Sequence, residues 1–192
     1  MKNIIKNTAI LTVITLVAGL LLGYVYDITK EPIAQSKEAA KKAAYQTVMA
    51  DADAFELAEV DAADLGTGCD VNEVVAANAG SELKGYVITT TTHDGYGGDI
   101  QVSVGVAADG TVKGIEMLSI GETAGLGMNA TTPEFKAQYA EKLVDAFVVT
   151  KTGAAADNEI DAISGATITS NAVTNAVNTA ILYFNNVLGG SQ

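Results

Sequence analysis

Residues 8–26, TAILTVITLVAGLLLGYVY, contain no charged side chain. Wound as a helix at about 1.5 Å per residue, the run measures roughly 28 Å, enough to cross the hydrocarbon core of a bilayer. Tyr24 and Tyr26 fall where interfacial aromatic residues are expected. The rival reading is a cleavable signal peptide. Against it, the run is long for a signal sequence and no small-x-small cleavage site comes after it. The segment therefore reads as a transmembrane helix over 8–26, preceded by a short N-terminus, 1–7. Charge does not orient it. Lys2 and Lys6 lie before the run, while Lys30, Lys37, Lys41 and Lys42 come soon after it.

Beyond the span, Thr29-Lys30-Glu31-Pro32 has the form of a helix start, with Thr29 or Lys30 at the cap and Pro32 in the first turn. The adjoining Ala-, Lys-, Glu- and Gln-rich stretch predicts a stalk helix over 27–50. Residues 51–70 are acidic and poorly periodic, a connecting segment with at most short structure. From residue 71 the signal changes to strands. Two β-prone runs, 71–79 and 83–92, are separated by Gly80-Ser81; Val102, Val104 and Val106 then alternate with small residues. Ala108-Asp109-Gly110 supplies a turn before a strand over 112–120, with Ile115 and Met117 on one face. Thr131-Thr132-Pro133-Glu134 predicts a capping-box helix running to about Val144. Val173, Ala176, Val177, Ala180, Phe184 and Val187 recur at helical spacing, a buried stripe on a C-terminal helix. An antiparallel meander followed by segregated helices makes the domain α+β.

Charge narrows the function. The chain has 23 acids and 11 basic residues, all of the latter lysine. Six lysines and only Asp27, Glu31 and Glu38 precede residue 43, so the remainder carries five lysines against twenty acids. Such a surface repels nucleic acid. It also gives a free dianionic ligand little reason to stay. Cys69 is the only cysteine and His93 the only histidine, which leaves no disulfide framework and no typical zinc site. Cys69 reads as an inert small residue and His93 as a polar hairpin-end residue.

The chemistry lies just before the last helix, in Asp161-Ala162-Ile163-Ser164-Gly165-Ala166-Thr167-Ile168-Thr169-Ser170. Gly165 and Ala166 permit a close approach to the backbone. Thr167, Thr169 and Ser170 place hydroxyls near a helix N-terminus, whose unpaired N–H groups suit a phosphate. An ordinary Ser/Thr cap with a glycine turn accounts for the same residues. Upstream, Gly121-Glu122-Thr123-Ala124-Gly125-Leu126-Gly127 comes directly after the last predicted strand. It is either a flexible loop whose backbone could meet a flat ring or a plain connection.

Asp161-x-x-Ser164-Gly165-Ala166-Thr167 resembles the flavinylation motif of the FMN-binding domain family. In that family a flavin transferase takes FMN from FAD and joins its phosphate to the motif's threonine. The resemblance implies Thr167 as the acceptor and Asp161, Ser164, Gly165 and Ala166 as the recognised signature. The Gly121–Gly127 segment resembles the Glu-Thr-Pro-Gly-Leu-Gly loop of the G subunits of Rnf complexes and the C subunits of the sodium-pumping NADH:quinone reductase. That implies Glu122, Thr123, Gly125, Leu126 and Gly127 beside the flavin; Ala124 stands where those proteins have proline. The order of anchor, Thr-Lys-Glu-Pro-Ile-Ala exit, hairpins, loop, motif and closing helix is also similar over nearly the whole chain.

The resemblance further implies an FMN-binding domain over 71–192, held outside the cytoplasm with 1–7 on the cytoplasmic side. Electrons would arrive from iron–sulfur-bearing membrane subunits and leave to the flavin-bearing D subunit, on a ferredoxin-to-NAD route coupled to ion movement. No catalytic residue and no metal is expected. Two other readings compete: a stand-alone extracytoplasmic FMN carrier, and a non-redox pilin-like or adhesive protein.

Overall fold

The computed structural model describes residues 1–60 and 65–189. Residues 61–64, inside the expected connecting segment 51–70, and 190–192 at the end of the expected domain lie outside the described residues. The chain divides into two compact units, Met1–Lys41 and Lys42–Gln192.

The first unit is helical from Lys2 onward, as part of helix α1, Lys2–Val48. Its apolar side chains point outward all round: Leu20, Leu21 and Leu22 are 68%, 59% and 72% exposed. Nothing within that unit covers them, as expected of a helix that lipid covers. Two of the threonine hydroxyls in the apolar run bond within the helix. Thr12 donates to the Thr8 carbonyl at 2.9 Å and Thr15 to that of Leu11 at 3.1 Å, so neither presents an unpaired polar group to hydrocarbon. The expected helix start at Thr29 is not where a helix begins. Thr29 lies inside α1, and its hydroxyl donates to the Val25 carbonyl at 2.8 Å rather than capping. Pro32 is likewise internal. It leaves the Ile28 carbonyl without its i+4 donor, an interruption the long helix absorbs.

The second unit is built on a five-stranded antiparallel meander in the order β1-β2-β3-β4-β5. The strands are β1 (Ala54–Ala58), β2 (Cys69–Ala79), β3 (Glu82–Thr92), β4 (Ile100–Ala107) and β5 (Val112–Ile120). β1 is the short structure within 51–70, paired to β2 with Ala54 opposite Asn78. Gly80, at φ 61°, makes the β2–β3 turn that the Gly-Ser pair announced.

Alternation along β3 and β4 gives the sheet two apolar faces. Ile88, Val102, Val104 and Val106 join the main core with helix α3, Thr167–Tyr183. Val87, Val75 and Ala77 pack on Tyr45, Val48 and Met49 at the C-terminal end of α1. Buried threonines pair rather than stay orphaned: Thr90 donates to the Ala176 carbonyl at 3.0 Å, and Thr89 lies 3.0 Å from Ser103. The last turn of α1 comes so near the sheet that a Cβ at Gly105 would sit 2.4 Å from the Val48 carbonyl oxygen. Only glycine fits there.

Helix α2 is far shorter than expected, Pro133–Ala137 instead of a helix to about Val144. Its cap is Thr132, whose hydroxyl accepts from Phe135 N–H at 3.4 Å. That places Glu134 one position short of the reciprocal capping-box contact. The chain then leaves the helix because Lys142 pairs with Val112 on the sheet, with Glu141 turned to φ 56° on the way. Two strands that periodicity did not signal, β6 (Val148–Thr150) and β7 (Glu159–Asp161), pair in parallel and lead into α3. The C-terminal stripe is as expected: Val173, Ala176, Val177 and Ala180 are fully buried, and Phe184 begins a closing π-type turn.

Candidate functional site

Strand β7 ends on Asp161, whose N–H donates to the Gln138 side chain at 2.6 Å. Four residues later the chain reverses. Ala166 N–H donates to the Ile163 carbonyl at 2.9 Å, and Gly165 between them has φ 76°. Such a turn takes a positive φ at its third residue, hence the glycine. Ser170 locks the turn from inside. Its hydroxyl accepts from Ile163 N–H and donates to the Ala166 carbonyl, both at 3.0 Å. Ala166 is the cap residue and Thr167 the first residue of α3, at the end where backbone N–H groups point outward.

The three hydroxyls of the motif are thereby separated. Thr169 and Ser170 are 1% and 0% exposed, while Thr167 is partly exposed. Thr167 also lines a cavity of about 640 Å³, within the size range of small-molecule and cofactor sites. Gly165, Ala166, Ile168 and Thr169 form the α3 side of this cavity; Glu122, Thr123, Leu126 and Gly127 form the opposite side, and Tyr96 completes it. Of the residues singled out from sequence, the fold thus brings together Thr167, Gly165, Ala166, Glu122, Thr123, Leu126 and Gly127. Asp161, Ser164 and Gly125 lie outside the lining.

Two lining residues, Tyr96 and Ile168, escaped the sequence reading. Tyr96 stands in Gly95-Tyr96-Gly97-Gly98 and is 74% exposed; a lone aromatic among glycines was the available signal. Ile168 lay next to the motif threonine and followed from helical geometry alone, while Thr169 was already among the hydroxyls read from sequence. The loop that carries Tyr96 is closed by His93, whose Nδ1 lies 2.9 Å from Asp99 and whose Nε2 lies 3.1 Å from Asp70 on β2. The hydrogen bond to Asp99, then that to Asp70, raises the His93 pKa above its usual value.

FMN fits these walls. Leu126, Ile168 and Tyr96 offer apolar and aromatic surface for a flat ring, and the α3 N-terminus offers N–H groups and a hydroxyl for the phosphate. No described lining residue is basic, so ionic attraction does not supply the hold.

Comparison with known proteins agrees with this geometry. Residues 95–182 match the FMN-binding domain family and residues 1–48 the RnfG N-terminal region. The G subunit of the proton-translocating ferredoxin:NAD(+) oxidoreductase complex of Clostridium ljungdahlii is 32% identical, covering 98% of this chain and 96% of that one. The G subunit of the Na(+)-translocating complex of Acetobacterium woodii is 34% identical, covering 97% and 94%. Among solved structures, NqrC of Shewanella oneidensis shares the fold at a TM-score of 0.52 and 20% identity, covering 71% of this chain and 82% of that one. With full-length similarity to these subunits and both of their characteristic regions in place, the chain belongs to the RnfG family, the G subunits of ion-translocating oxidoreductase complexes.

Proposed function

We propose that this chain is the membrane-anchored electron-transfer subunit of an ion-translocating ferredoxin:NAD(+) oxidoreductase, carrying FMN as a phosphoester on Thr167. The observation that carries the covalent assignment is the difference in exposure of the three hydroxyl residues: Thr167 is partly exposed on the cavity at the helix N-terminus, whereas Thr169, on the same cavity, and Ser170 are buried. In the attachment, the Thr167 oxygen bonds to the FMN phosphorus of FAD, AMP departs and the hydroxyl proton is lost. The ester ties down a cofactor that a lysine-poor, arginine-free domain has little charge to retain. It also removes one phosphate charge. The isoalloxazine supplies one- and two-electron chemistry when bound; the chain's own residues position it and shape its surroundings.

The remaining roles rest on family membership. The domain beyond the anchor works outside the cytoplasm. Iron–sulfur-bearing membrane subunits deliver electrons to it, the flavin-bearing D subunit receives them, and a flavin transferase matures it. The names of the Clostridium and Acetobacterium relatives support the ferredoxin-to-NAD route.

The test is fluorescence in a denaturing gel after co-expression with a flavin transferase. Wild type and Thr169→Val retain a fluorescent band, while Thr167→Val loses it. Thr167→Val preserves β-branching and volume, and because the cap of α3 is Ala166, which makes no side-chain hydrogen bond, no capping bond is lost. Peptide mass spectrometry that located the FMN adduct on Thr169 or Ser170 would sink the assignment.

A further inference from the structure

Glu122 is 8% exposed, yet it is part of the cavity wall. Its Oε1 accepts from Gly97 N–H at 3.2 Å, which joins the 121–127 loop to the β3–β4 loop bearing Tyr96. Three glycines crowd around it. A Cβ at Gly95 would lie 3.0 Å from Oε1, one at Gly97 would lie 3.3 Å from the Glu122 Cα, and one at Gly127 would lie 2.7 Å from Oε2. The Gly127 position would also meet Thr169 Oγ1 at 2.6 Å, which brings the first turn of α3 into the same contact. Two loops and a helix start therefore converge on one carboxylate, with side chains absent wherever they would displace it.

Packing alone does not call for an acid at this point. A glutamine fills the same volume, and its carbonyl accepts the same hydrogen bond from Gly97. Sequestering a carboxylate from water is unfavourable, and no described basic residue lines this cavity to offset it. Charge held in a partly dry wall acts strongly on whatever fills the cavity. Electrons entering a flavin add negative charge to it, so a carboxylate in the wall opposes its reduction.

We infer that Glu122 is a positioning residue that braces the flavin cavity and holds the flavin's reduction potential down through its negative charge. The inference rests on the proposal that FMN occupies this cavity. It concerns this chain's own wall and is independent of where the phosphate is attached.

The experiment is a spectroelectrochemical titration of full-length, detergent-solubilised, flavinylated protein as wild type, Glu122→Gln and Glu122→Asp. Melting curves and gel fluorescence are recorded for each. Glu122→Gln is expected to keep its fluorescent flavin and near-wild-type melting while its midpoint potential moves upward. Glu122→Asp retains the charge, and its midpoint stays close to wild type even if its melting temperature falls. A wild-type midpoint in the glutamine variant overturns the inference. So does an equal upward shift in both variants, which would make shape rather than charge the cause. If the glutamine variant fails to accumulate, the aspartate variant decides: an upward shift there counts against charge. Absence of any flavin absorbance from the purified, undenatured wild type defeats the proposal that FMN occupies this cavity and takes this inference with it, whereas loss of gel fluorescence alone bears only on the ester.

Discussion

His93 links two segments through two carboxylates, Asp99 on its own loop and Asp70 on β2. Both hydrogen bonds favour the imidazolium and raise its pKa above 6.5, Asp99 most. The folded value exceeds the unfolded one, so the stabilisation is fully present below about pH 6.5 and is lost as pH rises through the raised folded value. His93→Gln is therefore expected to melt below wild type in mild acid, with the two curves converging at alkaline pH. The gap should be small and should shrink with salt, because the side chain is half-exposed. Melts across that pH range check it, and a gap that stayed constant would count against the ion pairs. His93 read from sequence as a hairpin-end residue and is one. Its two acidic partners were not legible, since Asp70 meets it through the β2–β3 register, in which Asp70 lies opposite Thr91, and Asp99 through the β3–β4 register, in which Thr92 lies opposite Ile100. Glu122 shows the same limit. A loop motif can name a residue without showing that three glycines enclose it.

At the scale of elements, the last turns of α1 belong to the domain rather than to the anchor. Tyr45, Val48 and Met49 are 5%, 3% and 2% exposed and cover the Val75 and Val87 face of the sheet. A chain cut to begin at residue 42 is expected to leave the membrane and melt cooperatively. One cut to begin at residue 51 loses those three side chains, each worth about 1.5–3 kcal/mol for the aliphatic and thioether groups. It also bares Val75, Ala77 and Val87. Denaturant titration of the two fragments checks this; equal midpoints would mean that the helix end contributes nothing. Elements were legible in proportion to their local signal. Strands β2 to β5 announced themselves through β-branched residues and glycine turns. α2 was overextended because Lys142 is claimed by a tertiary pairing with Val112, which no helical propensity records. β6 and β7 are three residues each, too short for a period to show.

For the molecule as a whole, the anchor and the acidic domain imply a sided protein. The domain is proposed to face outward, and Cys69, the only thiol, reports on it. Because Cys69 is partly covered, it should be compared with a Ser81→Cys variant in the exposed β2–β3 turn. In intact cells or spheroplasts, a membrane-impermeant maleimide is expected to label the added thiol without lysis. Labelling of both sites only after lysis would reverse the topology. The anchor was the most legible feature of the chain, because an uncharged run of this length has few other uses; the side it faces was not, because lysines flank it on both ends.

Thr167 opens a helix whose Val173, Ala176, Val177 and Ala180 are wholly buried in the domain's core. A cofactor bonded there is a fixture and not a swinging arm. With the proposed ester in place, its ring can travel no farther relative to the domain than its own ribityl chain allows, so any longer movement of the flavin must carry the domain with it. Any slow, gated step in electron delivery then belongs to movement of protein and not to a cofactor changing seats.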